Sequence, residues 1–131
     1  MTKGFNQVEN VDYHDAFSPV SERTSIRILL ILTSVKKWVV QHFDVSTAFL
    51  HASIQEEVYV KPPEPLHEAG KLWKLKKALY GLKQSPKEWN GHICEKLINF
   101  DLIQSIYEPC FFNDNLMVIM YVDYLLVAVI Y

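Results

Sequence analysis

The sequence predicts a single domain of the α+β class, and three observations support that class. First, the length of 131 residues and the mass of 15.3 kDa are those of one ordinary domain. Second, 50% of the residues are hydrophobic and 21% are charged, which excludes a disordered chain. Third, segments with helical signals alternate with short runs rich in valine, isoleucine, leucine and phenylalanine, which are typical of strands.

The first half of the chain predicts one helix and two strands. Residues 3–23 are irregular, whereas residues 24–37 are apolar almost all round, as in a helix that is packed on several sides. Residues 38–43 predict a buried strand that leads into an aspartate. A second, short strand over residues 58–60 is cut off by two prolines, and residues 61–70 have the composition of a loop.

The middle of the chain predicts a second helix. Residues 71–77 could form a strand or the start of an amphipathic element, and their periodicity does not decide between the two. A helix is predicted over residues 86–100, because Ser85 offers an N-cap hydroxyl and a proline and a glutamate follow at positions that favour a helix start. Apolar side chains then recur at near-helical spacing.

The last third of the chain predicts strands joined by a turn. Residues 110–112 and 116–122 are apolar runs that flank the turn-forming residues 113–115. Residues 125–131 form a further run rich in valine, leucine and isoleucine. Two predicted helices, together with strands that lie between and after them, are typical of an α+β domain.

Composition also excludes several classes of protein. The formal net charge of -2 does not indicate a wholesale polyanion binder, and two cysteines are too few for a disulfide scaffold and favour a reduced compartment. The polar N-terminus is not a signal peptide. The apolar residues 116–131 are fewer than the roughly 20 that a spanning helix needs, and Asp123 lies near their middle. We therefore expect an intracellular, cytoplasmic protein that could reach the nucleus, with no membrane anchor.

Two aspartates at predicted strand ends are candidate chemical groups. Asp123 could be an exposed turn residue between two strands or a metal-binding carboxylate at a hairpin apex, and the residues alone leave both open. Asp44 could be a helix N-cap, or it could meet Asp123 around a pair of divalent cations. The five histidines show no ligand spacing with the cysteines, so no zinc site is predicted.

Positive charge is concentrated in one segment. Residues 71–88 hold six lysines and one glutamate, a local formal charge of +5, interleaved with Trp73 and Tyr80. Such a segment suits a phosphate backbone and stacked bases, although a solvated lysine face is the commoner explanation for a run of this kind. The lysines in question are Lys71, Lys74, Lys76, Lys77, Lys83 and Lys87.

Six motifs occur together along nearly the whole chain. They are FSPV at 17–20, FDVSTAFLHA at 43–52, EEVYVKPP at 56–63, KLWKLKKALYGLKQSPKEW at 71–89, EPCFF at 108–112 and YVDY at 121–124. In this order they resemble the reverse transcriptase domain of copia-type LTR retrotransposon polyproteins. The block ALYGLKQSPKEW is specific, and its occurrence together with FDVSTAFL makes a chance similarity implausible.

The resemblance implies a partial right-hand polymerase fold, with part of the fingers and most of the palm. It also implies that residues 1–131 form one incomplete reverse transcriptase domain that lacks the upstream fingers segment, the thumb and the ribonuclease H domain. The implied partners are an RNA template, a DNA primer and deoxynucleoside triphosphates. The implied cofactor is Mg²⁺, with Mn²⁺ as an alternative.

The resemblance also assigns roles to individual residues. Asp44 and Asp123 match the catalytic metal ligands, and Val45 would add a backbone carbonyl to the metal site. Phe49 matches the ring beneath the incoming sugar, which excludes the 2′-hydroxyl of ribonucleotides. Gln84 matches the glutamine that contacts the incoming nucleotide, and the six lysines could lie near template or nucleotide phosphates.

One departure from the family pattern affects chemistry directly. Tyr124 stands where the family hairpin has its second aspartate. A phenol is neutral at pH 7 and brings one acceptor oxygen instead of a carboxylate, so metal binding should be weakened. We therefore expect a polymerase-like chain with impaired catalysis. The alternatives are a non-catalytic nucleic-acid-binding remnant and a transposon-derived remnant without a selected role.

Overall fold

The computed structural model describes residues 4–66, 70–114 and 116–129, and the described part is an α+β structure with antiparallel strand pairing. The two helices are α1 (Arg23–Lys36) and α2 (Ser85–Asn99). The strands are β1 (Val39–Asp44), β2 (Tyr59–Val60), β3 (Trp73–Lys74), β4 (Ile103–Gln104), β5 (Phe111–Asn113), β6 (Leu116–Tyr121) and β7 (Tyr124–Val129). The predicted α+β class, with helices and an antiparallel sheet, is confirmed.

The chain divides into two compact units that interleave in the sequence. The first unit comprises residues 1–17 and 47–92, and the second comprises residues 18–46 and 93–131. Each unit therefore depends on segments that are distant in sequence, so neither could be recognised from a single stretch of the chain.

The second unit is built on a five-stranded sheet with the order β1-β7-β6-β5-β4. Successive side chains of a strand point to opposite faces, and here both faces are apolar. On one face Ile119 and Ala128 pack with Leu29 of α1, and on the other Val118 packs with Leu97 of α2. Burial on both faces explains why β6 and β7 are continuous hydrophobic runs instead of alternating ones.

Two expectations about burial in this unit were wrong. The helix α1 forms as predicted, but it is not packed on several sides, because its only buried residues are Leu29 and Thr33. Ile31 is 63% exposed and Val35 is 73% exposed. Likewise β1 is an edge strand with five of its six residues exposed, not a buried strand. An apolar sequence indicates which residues favour burial, but it does not determine how many other elements pack against them.

The hairpins of the sheet agree with the sequence pattern. Strands β5 and β6 form the predicted pair, although Asn115 of the predicted turn lies outside the described residues. The β6–β7 hairpin has a two-residue turn, because Tyr121 and Tyr124 are paired and only Val122 and Asp123 lie between them. Strand β7 is described as far as Val129, so the last two residues of the predicted run are outside the described part.

The turn of that hairpin holds a strained residue. Val122 has φ 56°, a left-handed conformation that a β-branched side chain rarely adopts. Tight hairpin turns with positive φ at the first central position ordinarily use glycine there. The turn is therefore formed at the cost of local strain next to Asp123.

The first unit contains a small ribbon and a core of small residues. Strands β2 and β3 pair antiparallel, which shows that residues 71–77 contribute a strand. Ala48, Ala52 and Ala78 are completely buried, and they allow close approach of the segments that carry them. The predicted loop over residues 61–70 contains one short 3₁₀ turn, and residues 67–69 of it lie outside the described part.

The start of α2 differs in detail from its prediction. The helix spans almost the predicted range, but the Ser85 hydroxyl is not its cap. That hydroxyl donates to the Leu79 carbonyl (2.6 Å) and accepts the Leu79 N–H (3.1 Å). The Gln84 carbonyl accepts the N–H of Glu88 at the helix start (3.1 Å). Ser85 therefore anchors the preceding loop to the helix, a contact that helix-start rules do not consider.

The N-terminus of α1 is capped from a distance. Glu22 at the N-cap makes no side-chain cap bond. The Glu108 carboxylate accepts the Glu22 N–H (3.2 Å) and the Ser25 hydroxyl (3.0 Å) through Oε2, and the Cys110 N–H (3.3 Å) through Oε1. A negative charge at a helix N-terminus is favourable, so Glu108 both satisfies donors and complements the helix dipole.

Among the described residues, neither helix has the length and apolar character required to cross a bilayer.

Candidate active site

The ends of β1 and β7 bring the two predicted catalytic aspartates together in the chain trace. Asp44 at the end of β1 pairs in register with Tyr124, the residue that follows Asp123. The Val45 N–H donates to the Asp123 carbonyl at 2.9 Å. Antiparallel pairing of this kind holds the backbones about 5 Å apart, so Asp44 and Asp123 occupy the same end of one sheet.

The two aspartates differ in their surroundings. Asp44 is exposed and ends a strand, and the nearest short helix begins only after Thr47, which itself makes no side-chain cap bond. The N-cap interpretation of Asp44 is therefore wrong. Asp123 is half-buried at the hairpin turn, so it is a turn residue whose carboxylate also lies near a strand end.

Tyr124 lies on the same sheet face as Asp44 and packs along the strands. Its ring stacks on His42, with ring centroids 5.3 Å apart and planes 18° apart. The two rings border a shallow apolar groove of about 250 Å³, lined by Ile26, His42, Ile119, Tyr121, Tyr124 and Leu126. The phenol therefore sits in register opposite Asp44 and contributes an aromatic surface where a carboxylate would contribute charge. His42 was not singled out by the sequence.

Asp44 and Asp123 are the residues at this strand end that could hold a metal. No group of three or more histidine, cysteine, aspartate or glutamate side chains that could hold a metal occurs within residues 4–66, 70–114 and 116–129. Mg²⁺, however, is often bound through only one or two carboxylates, with waters and substrate phosphates completing its shell. Asp44 and Asp123 could therefore supply the one or two carboxylates that a Mg²⁺ site takes from the protein.

The aromatic residue Phe49 belongs to the first unit. It lies in the short 3₁₀ turn Ala48–His51 and is 9% exposed. The ring of Tyr80 packs against it, with centroids 4.4 Å apart and planes tilted by 34°. Phe49 is therefore a nearly buried ring whose aromatic neighbour Tyr80 is partly exposed.

Gln84 is completely buried in the first unit. Its Nε2 donates to the Asp12 carbonyl (3.2 Å), and its Oε1 accepts from the Nε2 of Gln7 (3.0 Å). The predicted contact between Gln84 and a nucleotide stays a prediction, since both ends of the amide are engaged by the protein itself. Gln7 was missed in the sequence because its partner lies 77 residues away and no local pattern marks the pair.

All six lysines of the basic segment are exposed. In the first unit, Lys74 pairs with Glu57, Lys77 donates to a backbone carbonyl (2.9 Å), and Lys87 pairs with Asp15 (3.1 Å). The hydrogen bond from Lys74 lowers the pKa of Glu57. Acidic residues from other segments therefore offset part of the local positive charge, which the lysine spacing could not reveal.

Burial raises the pKa of the Glu88 carboxyl above its usual 4.5, and repulsion from Glu56 adds to the increase. Folding therefore favours the neutral acid, so the contribution of Glu88 to stability is fully present below pH 4.5 and is lost as the pH rises through the raised pKa. We expect Glu88→Gln to remove this loss and to stabilise the protein at pH 7. The gain should be less than about 1 kcal/mol, because Glu88 is only half-buried.

Melting temperatures of the two proteins between pH 4 and pH 7 test this expectation. The curves should converge at low pH and separate at neutral pH. The exposed Glu95, on the same helix, provides the matched control Glu95→Gln, which should not show this pattern. Parallel curves for the natural chain and Glu88→Gln would contradict the prediction.

The two cysteines do not form a nucleophilic site. Cys94 and Cys110 are not joined in a disulfide, and burial raises the pKa of Cys110 to about 11, with Glu108 and Cys94 adding to the increase. Burial also raises the pKa of Cys94. Since the thiolate is the reactive form, both residues stay protonated at neutral pH and act as small core side chains.

Comparison with known proteins identifies the relatives of this chain. The profile of the family described as "Reverse transcriptase (RNA-dependent DNA polymerase)" matches residues 1–130. The chain is 36% identical over 137 residues to the retrovirus-related Pol polyprotein from transposon TNT 1-94 of Nicotiana tabacum, and this alignment covers 98% of the chain and 10% of the relative. No solved structure matches the chain.

Further relatives come from other hosts. The Pol polyprotein from transposon RE1 of Arabidopsis thaliana is 33% identical over 136 residues, which are 98% of this chain and 9% of that protein. The Ty1-ER2 Gag-Pol polyprotein of Saccharomyces cerevisiae is 30% identical over 121 residues, or 87% of this chain and 7% of that protein. The chain thus spans about a tenth or less of the length of these curated relatives.

Proposed function

This chain belongs to the reverse transcriptase (RNA-dependent DNA polymerase) family, as its resemblance to copia-type retrotransposon polyproteins predicted, and from that premise we propose an impaired nucleotidyl-transfer site. The reaction would extend a DNA primer on an RNA template by attack of the primer 3′-hydroxyl on the α-phosphate of a deoxynucleoside triphosphate, with release of pyrophosphate. The setting would be intracellular. One observation carries the proposal: the hydrogen bond from Val45 N–H to the Asp123 carbonyl joins the strand ends that bear both aspartates.

In this proposal Asp44 and Asp123 hold the divalent cations, with the Val45 carbonyl as a further ligand. Bound Mg²⁺, or Mn²⁺ in its place, would supply positive charge that activates the attacking hydroxyl and stabilises the leaving oxygen. The contribution of the chain is to place two negative charges at one end of a rigid sheet. Because β1 and β7 are paired through six residue pairs, the strand ends have little freedom to separate.

Two residues of the first unit complete the proposal. Phe49 would lie beneath the incoming sugar and would exclude a 2′-hydroxyl, and the packing of its nearly buried ring against Tyr80 supports this role. Gln84 would contact the incoming nucleotide. In terms of polymerase anatomy, we assign residues 1–131 to part of the fingers and most of the palm.

The impairment follows from Tyr124. A neutral phenol in register with Asp44 removes one carboxylate from the strand end that should attract two cations. Its ring is committed to a stack on His42 and does not offer a charged oxygen. We therefore propose that the chain binds the metal weakly and polymerises poorly at best.

Retained nucleic-acid binding is the second candidate function, and the exposure of all six lysines of the basic segment favours it. An RNA–DNA duplex would bind through its phosphates, with an affinity that falls as salt rises. Lys76 and Lys83 are the most suitable lysines to test. Their ammonium groups make no contact with the described residues that would compete with a phosphate. Lys36 and Lys96, in the last turns of α1 and α2, serve as controls.

A paired assay tests both functions. In primer extension with Mg²⁺ or Mn²⁺ we expect no more than trace synthesis, and robust synthesis by this chain would refute the impairment. In a salt titration with an RNA–DNA duplex, Asp44→Ala should bind like the natural chain. Replacing Lys76 and Lys83 by glutamine should reduce the slope of log K against log salt by about 0.9 for each phosphate that is no longer neutralised. The control variant, with Lys36 and Lys96 replaced by glutamine, should keep the slope of the natural chain. A reduction as large as that of the Lys76 and Lys83 variant would contradict the assignment to the basic segment.

A further inference from the structure

A segment near the N-terminus lies along the loop that carries Gln84. We call residues 4–15 of the first unit the N-terminal strap. Gln7 is its central contact, because one side-chain amide makes two bonds there. Its Nε2 donates to the Oε1 of Gln84 (3.0 Å), and its Oε1 accepts the backbone N–H of Lys83 (2.8 Å).

Three more contacts hold the strap along the same loop. The Asp12 carbonyl accepts from the Nε2 of Gln84 at 3.2 Å. Asp15 pairs with Lys87 at 3.1 Å. At the other end of the strap, Gly4 approaches the backbone so closely that an added Cβ would lie 1.7 Å from the carbonyl oxygen of Gly81. The strap therefore follows the loop from Gly81 to Lys87.

The consequence for Gln84 is complete enclosure. Its side chain is 0% exposed, and the amide is bonded at its oxygen and at its nitrogen to residues of the strap. No ligand can reach this amide while Gln7 and Asp12 remain in place. A contact between Gln84 and a nucleotide therefore requires a conformation in which the strap has moved.

The strap is attached in a way that permits such movement. Three of its apolar side chains face solvent, with Phe5 75%, Val8 56% and Val11 77% exposed, so these side chains contribute little to holding the strap on the loop. Its contacts with the loop are hydrogen bonds, one exposed ion pair and the close approach of Gly4 to Gly81, and the polar contacts contribute little net stability in water. Segments with these features are the ones that open locally without global unfolding.

We infer that the N-terminal strap is a reversible cover that closes over Gln84 and opens to admit a deoxynucleoside triphosphate. The nucleotide part of this inference rests on the proposed function, whereas the opening itself does not. If the closed form dominates, the apparent dissociation constant of a nucleotide is the intrinsic one divided by the open fraction. A variant that holds the strap open should then bind the nucleotide more tightly.

Gly4→Ala is the variant that opens the strap, because its Cβ cannot coexist with the Gly81 carbonyl. Gly91→Ala is the matched control, since a Cβ there meets nothing within 4 Å. Amide hydrogen exchange at Lys83, whose acceptor is Gln7, reports the opening. We expect exchange at Lys83 to accelerate about tenfold or more in Gly4→Ala and to stay unchanged in Gly91→Ala.

Exchange at the α2 amides decides whether the strap opens by itself. Unchanged α2 protection in Gly4→Ala supports a separate cover. Equal acceleration at Lys83 and α2 would show that the strap belongs to the folded core, and unchanged exchange at Lys83 would show that it does not open; either result overturns the inference. Asp15→Asn, which weakens the ion pair with Lys87 and leaves the Gln7 acceptor in place, provides a second and milder variant: exchange at Lys83 should accelerate less than in Gly4→Ala, and α2 should stay protected.

A titration with deoxythymidine triphosphate and Mg²⁺ tests the nucleotide part. Gly4→Ala should bind more tightly than Gly91→Ala, by the factor by which its open fraction has increased. Measurable binding with equal affinities would overturn the role of the strap as a cover for the nucleotide. If no variant binds the nucleotide, the proposed nucleotide site is contradicted. The exchange experiment alone would then show whether the strap opens.

Discussion

Tyr124→Asp should increase the affinity of the chain for Mn²⁺ by about tenfold or more. The substitution places a carboxylate in register opposite Asp44 and next to Asp123, at the strand end where the metal would bind. A third negative charge at short range adds to the attraction of a divalent cation, and loss of the phenol ring releases His42 from its stack. Mn²⁺ is a convenient probe, because its binding can be followed by the relaxation of solvent protons.

The hairpin itself offers two controls for this experiment. Tyr124→Asn removes the ring without adding charge, so it separates the effect of the stack from that of the carboxylate. Tyr121→Asp adds the same charge on the paired strand, at a residue with 43% exposure against 45% for Tyr124. Neither control should gain more than a small part of the affinity.

Two outcomes would contradict the argument from Tyr124. An equal gain in Tyr121→Asp would mean that general negative charge on the hairpin attracts the metal, not a site at Asp44. An unchanged affinity in Tyr124→Asp would mean that the two strand-end aspartates do not form a site that a third carboxylate completes. Adding Asp44→Ala to Tyr124→Asp should abolish the gain if the site is as proposed.

Glu108→Ala should destabilise the chain by about 1–3 kcal/mol. The Glu108 carboxylate is the acceptor for donors from Glu22, Ser25 and Cys110, and two of these lie at the start of α1. Without it, partly buried donors lose a charged acceptor, and α1 loses the negative charge at its N-terminus. Since Leu29 of α1 packs with Ile119 and Ala128 of the sheet, loosening the helix start should also weaken that core.

Urea unfolding followed by circular dichroism measures this effect. Glu95→Ala removes an exposed glutamate from α2 and should change the free energy of unfolding by less than about 0.5 kcal/mol. Ser25→Ala removes one of the three donors and should cost less than Glu108→Ala does. Equal stability of Glu108→Ala and Glu95→Ala would show that the distant cap is not needed to hold α1.

Much of the local structure could be predicted from short stretches of residues. Both helices and the strands β1, β2, β5, β6 and β7 were expected close to where they occur, because periodicity and proline or asparagine turn signals act within a few residues. Strand β4 was not predicted, because Ile103 and the polar Gln104 do not form an apolar run. The family was also recognisable, because its motifs are contiguous strings.

Burial and pairing, in contrast, were decided by which distant segments meet. The apolar pattern of α1 predicted a helix, but the exposure of Ile31 and Val35 depends on how many elements pack against it. The bonds between Gln7 and Gln84 and between Ser25 and Glu108 join residues 77 and 83 positions apart, beyond the reach of any local rule. The same holds for the register of Asp44 with Tyr124, which arises from the antiparallel pairing of β1 with β7.

Residue types and their local order therefore specified the elements, the family motifs and the chemical groups that could act. Which carboxylates became neighbours, which amide was enclosed and which apolar faces stayed exposed depended on the tertiary arrangement. The physical reason is range: backbone propensities and turn geometry act over a few residues, whereas strand pairing, side-chain capping and burial depend on surfaces that come together only when the chain folds.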